Sequence, residues 1–296
     1  MSIHLTSLID PERGSSSRRL AWLASDTDGF PVGSAFLRLF TTPGQKHYAE
    51  MDLHVHPSER RHGTGTLLLD AAAHAAREDG RRSLVAQAEP GSPGAQFLRA
   101  RGFGQAATFT FTRLNLGDTN RSALTAIVEQ AHPGYRLSRW DGTVPDNLAD
   151  TFALSRRAMD DMPMGGTDYG TVDWDVDRVR AVAAAVARRG DVLHTVVAVD
   201  EADGSIAGFT ELVVSGDGTG GGQHYGTGVL PEHRGHGLGR WMKAAAILQA
   251  RDCHPDLGCL RTDTADGNLP MRAINDALGY SPTHQVIHYK LDLSPR

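Results

Sequence analysis

Cysteines and long apolar stretches are scarce in this chain, and both shortages exclude whole classes of protein. The 296 residues include two cysteines, Cys253 and Cys259. Two are too few for a disulfide framework or a four-cysteine metal site, so we expect a protein of the reducing cytoplasm. We find no apolar run long enough to cross a bilayer, and the first residues lack the basic-then-apolar order of a signal peptide.

An excess of positive charge is also missing. Thirty Lys and Arg residues face 35 Asp and Glu residues, which leaves a net charge of -5. We therefore expect neither nucleic acid nor an anionic membrane as a partner. We expect no metal either, because His54 and His56 have no third ligand nearby in the sequence. A hydrophobic content of 40% indicates a globular protein, and 296 residues are enough for two domains.

One motif occurs twice, around Arg60 and again 174 positions later (234 − 60) around Arg234. In each copy an apolar strand leads through a proline and a polar turn into Arg-x-x-Gly-x-Gly and a long helix. A glycine and an aromatic residue close both copies, as Gly102-Phe103 and Gly279-Tyr280. A repeat of this length indicates a duplicated domain rather than a solenoid unit.

The segments before the two motifs differ in length. The second copy predicts a strand over 135–140, helices over 145–159 and 176–189, and a hairpin of strands over 193–199 and 206–214. The first copy has only 59 residues before Arg60, too few for both helices, so this copy is trimmed. We predict domains over 1–117 and 134–296, joined by a linker over 118–133 that holds a connecting helix.

The glycine turn has the chemistry of an anion site. A helix that starts after Gly-x-Gly without a capping Ser or Asp leaves its first N–H groups free and partly positive. Glycine lets a phosphate approach the backbone, and Arg60 and Arg234 add positive charge. Gly-x-Gly alone also fits an ordinary tight turn, but the strand, the arginine and the helix accompany it in both copies. Neither copy has the lysine of a Walker loop or the spacing of a dinucleotide fingerprint.

The pattern resembles the Gcn5-related N-acetyltransferase superfamily. That signature is Gln/Arg-x-x-Gly-x-Gly/Ala after the fourth strand, followed by a strand, an Asn, a short helix and Gly-Phe/Tyr. The second copy supplies Arg234, Gly237, Gly239, Asn268 and Gly279-Tyr280. The tandem layout is similar to that of mycothiol synthase and related actinobacterial double-domain acetyltransferases. The resemblance implies an α/β (α+β) protein of two such domains, each a mixed, splayed, mostly antiparallel sheet flanked by helices.

The resemblance also implies acetyl-CoA as the cofactor, with its arm between the splayed fourth and fifth strands and its pyrophosphate on the glycine turn. A strand-end N–H would polarise the thioester carbonyl. In the second copy the expected contacts are Val229, Leu230, Pro231, Arg234, Gly235, His236, Gly237, Leu238, Gly239, Arg240 and Asn268. In the first copy they are Val55, Arg60, Gly63, Thr64, Gly65 and Thr66. Gly91 and Leu98 stand at the first copy's Asn and acid positions, so we expect binding there at most, without catalysis.

The catalytic acid and the catalytic base each have more than one candidate. The tyrosine that the family usually places seven positions after the Asn is Asn275 here, which can donate a hydrogen bond but no proton. Either Asn275 only stabilises the leaving thiolate, or Tyr225, Tyr280 or water is the acid. Glu211, on an otherwise apolar strand, is the leading candidate base because burial would raise its pKa. The alternative is a solvent-facing glutamate, and His224 is a weaker candidate.

The loop over 159–169 falls where the resemblance places the acceptor site. Its expected substrate contacts are Asp160, Asp161, Met162 and Tyr169, and Asp168 adds a further carboxylate; a merely solvated acidic loop is the alternative. We interpret the chain as an N-acetyltransferase that moves an acetyl group to the primary amine of a small molecule in a ternary complex, as a monomer or homodimer. A non-catalytic acyl-CoA sensor and an enzyme for another acyl or one-carbon group stay open.

Overall fold

The computed structural model describes residues 3–10, 16–167 and 169–294. The chain forms two compact units, and neither is contiguous in sequence. The first unit comprises Met1–Phe109, Met164–Val172 and Gln285–Arg296, and the second comprises Thr110–Pro163 and Asp173–His284. These bounds differ from the expected domains over 1–117 and 134–296, because the first unit includes two segments from the second half of the chain.

The first unit is a sheet with strand order β1-β2-β3-β4-β5-β12 and two helices. Residues 10–16 are the whole connection between the first two strands, so this copy has no space there for two helices. Its elements are β1 (His4–Ile9), β2 (Ser17–Ser25), β3 (Pro31–Phe40), β4 (Tyr48–Val55), α1 (Thr64–Glu78), β5 (Ser83–Ala88), α2 (Pro93–Ala100), the start of β6 (Gly104–Asn115) and the end of β12 (Ser281–Asp292).

The last strand of the chain completes the sheet of the first unit. Residues 287–292 of β12 pair antiparallel with all of β5, from Ile287 opposite Ala88 to Asp292 opposite Ser83. Without this partner β5 would present a row of unpaired N–H and C=O groups on that side. The closing strand of the first unit therefore comes from the far end of the sequence.

The second unit is a sheet with strand order β6-β11-β10-β9-β8-β7 and five helices among its described residues. The helix predicted over 145–159 ends at Ser155 and continues as a 3₁₀ turn, Arg156–Met159. The elements are α3 (Arg121–Glu129), β7 (Tyr135–Asp141), α4 (Asp146–Ser155), α5 (Val176–Arg188), β8 (Val192–Asp200), β9 (Ile206–Val214), β10 (Gly220–Val229), α6 (Leu238–Cys253), β11 (Leu257–Ala265) and α7 (Leu269–Ala277).

The core of the second unit lies against β9 and α6. All nine residues of β9 are buried, as expected of a strand covered on both faces. One stripe of α6 is buried by packing on this sheet, including Met242, Ala246 and Ala250. No helix of the described residues is long and apolar enough to span a membrane.

Candidate functional site

In each unit the sheet opens between two parallel strands. In the second unit β10 and β11 pair only from Gly220 opposite Leu257 to Gln223 opposite Arg261, while β10 stays paired with β9 as far as Val229. In the first unit β4 and β5 likewise pair only over residues 48–51 and 83–86. The outer half of β10, and of β4, therefore has backbone groups along the opening that the next parallel strand does not pair.

The glycine turns follow directly from the strands that border these openings. The helix α6 begins after Gly237 (φ 76°) and α1 begins after Gly63 (φ 91°), with no side-chain cap on either helix. These left-handed conformations favour glycine, as does φ 86° at Gly235. The first amides of both helices therefore have no side-chain cap, which is the geometry that suits an anion.

The two motif arginines fold back on the strands that precede them. Arg60 donates from Nε to the carbonyl of Val55 at 3.2 Å, and Arg234 donates from Nε to the carbonyl of Val229 at 3.0 Å. Each bond spans five residues and holds the turn against the end of its strand. The arginine therefore shapes the turn as well as supplying charge to it.

The second glycine of each motif is a close-packing position. A Cβ built at Gly65 would lie 3.4 Å from the ring of Phe97 on α2, and one built at Gly239 would lie 3.1 Å from the side chain of Ile274 on α7. The same glycines face Val55 and Val229. The two copies thus share this packing as well as their sequence motif.

The strand end at Val229 differs in one respect from the expected cofactor contacts. The N–H of Leu230 donates to the carbonyl of Ala207 at 2.9 Å, and Pro231 has no N–H. Successive amides alternate between the two edges of a strand, so the N–H of Val229 points to the opening. Of the three predicted residues, Val229 alone presents an N–H there.

Asn268 caps α7 instead of pointing freely to the opening. Its Oδ1 accepts the N–H of Met271 at 3.2 Å. Asn275 lies two residues before the end of α7 and is 1% exposed. Its Nδ2 donates to the hydroxyl of Thr264 on β11 at 3.1 Å. The Oδ1 of Asn275 is buried without a hydrogen-bond partner among the described residues.

Glu211 is buried as expected, but it is paired with a cation that the sequence analysis missed. Its Oε2 lies 2.6 Å from Nη1 of Arg156, and both side chains are at most 10% exposed. The Arg156 guanidinium also lies over the rings of Trp174, at 4.2 Å, and Phe209, at 4.5 Å. The prediction considered burial alone, and the structure adds a buried ion-pair partner to Glu211.

The predicted acceptor loop is divided between the two units. Asp160 and Asp161 lie in the second unit, where burial and then Asp161 and Asp173 raise the pKa of Asp160. Tyr169 belongs to the first unit, where its ring meets Tyr48 at 5.2 Å. Asp168 lies outside the described residues. The predicted substrate contacts are therefore assigned to two different units.

Asp161, in the predicted acceptor loop, contacts the arginine of the glycine turn. Asp161 accepts from both terminal nitrogens of Arg234, at 2.6 and 2.7 Å, and these hydrogen bonds hold the pKa of its carboxyl below the usual range. Met162 follows in the same turn and is partly buried. The predicted substrate contact Asp161 is thus hydrogen-bonded to the predicted cofactor contact Arg234.

The two candidate tyrosines have opposite environments. Tyr225 is 46% exposed, lies at a register shift in β10, and its hydroxyl accepts from Arg189 at 2.6 Å. Tyr280 is 3% exposed and shares a 2.8 Å hydrogen bond with Nε2 of His224, and burial raises the pKa of its phenol. His224, a weaker candidate in the sequence, is therefore part of the buried site.

Lys243, on α6, was missed although the sequence carries a signal. It occupies the apolar stripe of this helix between Gly239 and Ala246, where a charged residue is out of place. It is 1% exposed, and its Nζ lies 4.9 Å from the centre of the Tyr280 ring.

A cavity of about 350 Å³ adjoins the glycine turn of the second unit at His236 and Gly237. The segment before β7 forms one of its walls, where His132 stacks on Trp241 at 4.1 Å and hydrogen-bonds the carbonyl of His236 at 3.0 Å. Arg240 lines the same cavity. The predicted linker therefore reaches the turn itself.

The acetyltransferase (GNAT) family matches this chain over residues 5–104 and 160–280. The two stretches are well over half of the chain, so the protein belongs to this family. Its duplicated strand openings and glycine turns identify it as a tandem member. Members of the family are acyltransferases that generally use acyl-CoA. A search of the curated proteins finds no sequence match to the chain.

Solved structures of the same family cover nearly the whole chain. A tandem GNAT protein from the clavulanic acid biosynthesis pathway, solved without AcCoA, is 26% identical, with a TM-score of 0.75 over 96% of this chain and 86% of that one. A GCN5-related N-acetyltransferase from Sphaerobacter thermophilus is 13% identical, with a TM-score of 0.68 over 93% of this chain and 81% of that one. At that identity the second likeness concerns the fold alone.

Proposed function

We propose that this protein is an N-acetyltransferase that moves an acetyl group from acetyl-CoA to the primary amine of a small molecule. The amine attacks directly in a ternary complex, in the second unit. The observation that carries the proposal is the opening between β10 and β11 beside the uncapped start of α6. A free strand edge suits the amide-rich arm of acyl-CoA, and a helix start suits its pyrophosphate.

Each part of the cofactor has a proposed partner. The arm would add to the open edge of β10 as an extra strand, with the Val229 N–H donating to the thioester carbonyl. The amides of residues 235–240 would bind the pyrophosphate. Gly235 fits this role, because φ 86° and open space at its Cβ position leave the backbone accessible.

The proposed chemistry is acyl transfer through a tetrahedral intermediate. The neutral amine nitrogen forms a bond to the acetyl carbon, the carbon–sulfur bond then breaks, and the electron pair leaves with sulfur. We assign Glu211 as the proton acceptor for the amine and Arg156 as its positioning residue. The 2.6 Å contact with Nη1 of Arg156 fixes the position of the carboxylate that would accept the proton.

The acceptor is proposed to be cationic before it reacts. Asp160 and Asp161 supply two carboxylates near the turn, and Met162 adds an apolar contact in the same loop. The two free thiols, Cys253 and Cys259, fit a protein of the reducing cytoplasm.

The test measures CoA release from acetyl-CoA with a panel of amino acids, amino sugars and polyamines. We expect release that depends on one class of amine, with little release when no amine is added. Propionyl-CoA, succinyl-CoA and a one-carbon donor in parallel test the alternative acyl or one-carbon reaction. The proposal fails if no amine supports release and calorimetry detects no binding of acetyl-CoA.

The first unit is proposed to bind acyl-CoA without catalysis. It shares the strand opening, the uncapped helix and the folded-back Arg60. Leu98 stands at the acid position of the first unit. Gly33 on β3 matches Gly208 on β9, because each pairs with the valine that ends the next strand. Three residues after these glycines the first unit has Phe36, where the second has Glu211. Calorimetry should give two sites per chain, with R60A weakening one of them while turnover is unchanged.

A sensor without turnover is the second candidate function. Two observations favour it: Asn275 replaces the usual acid, and Glu211 is tied to a buried cation. The variant E211Q separates the two functions. An enzyme should lose turnover and keep acetyl-CoA binding, whereas a sensor has no turnover to lose.

A further inference from the structure

Three polar side chains lie together in the core of the second unit. Lys243 packs against the face of the Tyr280 ring, and Tyr280 is hydrogen-bonded to His224. All three are at most 6% exposed. The apolar side chains of Leu212, Ala244, Ile247 and Leu278 form the core cluster that contains Tyr280.

Burying these groups has an energetic cost. Burial lowers the pKa of Lys243 to about 7. Burial, and then the neighbouring Lys243, lower the pKa of His224 well below its usual value. Taking an ammonium group out of water is unfavourable unless it gains compensating contacts, and the contact seen here is an aromatic ring face. A packing role alone does not explain why a lysine and a histidine are buried here.

The first unit shows what the same core positions hold when packing alone decides. Val55 faces Gly33 and Val229 faces Gly208 across the corresponding strand pairs. Four residues beyond each of those glycines, Leu37 faces Met51 and Leu212 faces His224. Met51 is therefore the counterpart of His224.

The other two counterparts follow from the motif glycines. Leu69 comes six positions after Gly63 (69 − 63), as Lys243 comes six after Gly237 (243 − 237). Phe103 follows Gly102 as Tyr280 follows Gly279. Met51, Leu69 and Phe103 are at most 4% exposed and belong to one apolar core cluster. The fold therefore closes this core with three apolar residues, and the polar trio of the second unit serves another purpose.

One member of the trio, His224, stands where the strand opening begins. His224 immediately follows Gln223, the last residue of β10 that pairs with β11. The N–H of Tyr280 donates to the carbonyl of Asn275 at 3.0 Å, so the trio also adjoins the position where the family usually has its acid. Of the groups at this place, Asn275 has no proton to give, and the raised pKa of Tyr280 holds its proton on the phenol.

We propose that Lys243 is the general acid of the second unit, giving a proton to the sulfur of CoA as the acetyl group leaves. His224 and Tyr280 act as its positioning residues. The inference rests on the proposed function, because it requires a departing thiolate. The carbon–sulfur bond breaks, sulfur keeps the electron pair, and a proton moves from Nζ of Lys243 to sulfur. Glu211 passes the amine's proton to solvent, and Lys243 regains one from solvent, so atoms and charge balance.

The proton transfer is favourable in direction. An ordinary thiol has a pKa of about 8.5, above the value of about 7 for Lys243. A general acid with a pKa near the working pH is also the most effective kind. The titratable groups that face Lys243 are His224 from β10 and Tyr280, which directly precedes β12. Burial keeps both uncharged near neutral pH.

The test exchanges Lys243 for the residue that the first unit has at the same position. We expect K243L to lower kcat by about 100-fold, the usual scale for loss of a general acid, with KM for acetyl-CoA nearly unchanged. Y280F and H224M, also taken from the first unit, should lower kcat less. Because a fall in kcat alone has several causes, a binding measurement accompanies it.

The binding measurement compares CoA with desulfo-CoA, which lacks the sulfur, by calorimetry between pH 6 and 9. Wild-type protein should prefer CoA in a pH-dependent way, since Lys243 stabilises the thiolate. K243L should bind desulfo-CoA as wild type does and lose the preference for CoA. If K243L does not fold, K243M, with an unbranched chain, takes its place.

The outcomes separate this inference from the proposed function. Full turnover by K243L with an unchanged pH profile overturns the role of Lys243 and leaves the acetyltransferase proposal standing. Loss of desulfo-CoA binding in K243L, or failure of both variants to fold, shows a structural role and also overturns the inference. A wild-type protein that neither binds acetyl-CoA nor releases CoA overturns both.

Discussion

Arg234 holds Asp161 with both terminal guanidinium nitrogens, at 2.6 and 2.7 Å. Arg234 is also the arginine of the glycine-turn motif, for which we propose pyrophosphate binding. In this structure its guanidinium is paired with the Asp161 carboxylate. Both side chains are about half exposed, at 45% and 50%. The pair is therefore a competitor of modest strength rather than a fixed barrier.

Replacing Asp161 should strengthen cofactor binding. In D161N the guanidinium is free for the pyrophosphate, and the repulsion between Asp161 and the phosphates is gone. An exposed pair contributes up to about 1 kcal/mol, which corresponds to an affinity gain of up to about fivefold. Calorimetry with acetyl-CoA at low salt measures the gain, which should shrink in high salt. Weaker binding by D161N would show that Asp161 orders the turn instead of competing.

The glycine turn of the second unit should not tolerate a side chain. G237A places a Cβ at φ 76° and 3.3 Å from His132, which should cost about 1–2 kcal/mol of stability. We expect acetyl-CoA binding and turnover to fall together in this variant.

The first unit supplies a matched control for that substitution. G63A has the same backbone strain, with φ 91° and open space around the Cβ. It should leave turnover intact, because the proposed chemistry lies in the second unit. Equal losses of turnover in G63A and G237A would contradict the division of roles between the units.

Variants of the buried Glu211–Arg156 pair should change the stability of the protein and its turnover independently. Removing one partner leaves an uncompensated buried charge, so R156M should lose about 3–5 kcal/mol of unfolding free energy. The double variant R156M/E211L, with apolar residues of similar size, should regain most of that loss. Chemical denaturation measures both values.

Turnover should not follow stability in this pair. The double variant lacks the proposed base, and we expect it to bind acetyl-CoA but to release CoA at a rate at least about 100-fold below wild type. Normal turnover by the stable double variant would remove Glu211 from the mechanism.

Lys243 should make the stability of the protein depend on pH. The pKa of this lysine falls from 10.5 when unfolded to about 7 when folded, because burial disfavours its charge. Between those values the unfolded chain binds more protons than the folded protein, so this group's contribution to stability rises with pH. Below about pH 7 the full cost of the buried charge is present.

K243L removes this cost. Its melting temperature should exceed that of wild type most below pH 7, by about 2–4 °C for each kcal/mol regained. The difference should shrink as the pH rises from 7 towards 10.5. Scanning calorimetry over this range measures it, with Leu69→Met in the first unit as a control that should show no such pH dependence. A gap that stays constant with pH would mean that folding does not change the pKa of Lys243.

The fold class and the two glycine turns could be predicted because their signals are local. Gly237, Gly63 and the arginines act within a few residues, as the five-residue bonds to Val229 and Val55 show. The helix predicted over 176–189 appears as Val176–Arg188 because its apolar spacing and the capping Asp175 are adjacent in sequence. The same holds for the trimmed first copy, which follows from chain length alone.

The catalytic assignments failed to predict partners that are distant in sequence. Arg156 meets Glu211 from 55 positions away, and no spacing rule relates a helix-end arginine to a residue on β9. Tyr169 stands only eight positions after Asp161 (169 − 161) but belongs to the other unit. Proximity in sequence was therefore a poor guide to the unit in which a loop residue lies.

The sequence by itself determined the duplication, the two glycine turns and the apolar patterns of strands and helices, because each depends on backbone preferences within a short stretch. Only the tertiary structure decided that β12 closes the first unit and that Asp161 binds Arg234. It also decided that Lys243, His224 and Tyr280 meet where β10 leaves β11. Those pairings depend on which strand edges, charges and core positions are left to be satisfied once the local elements have packed.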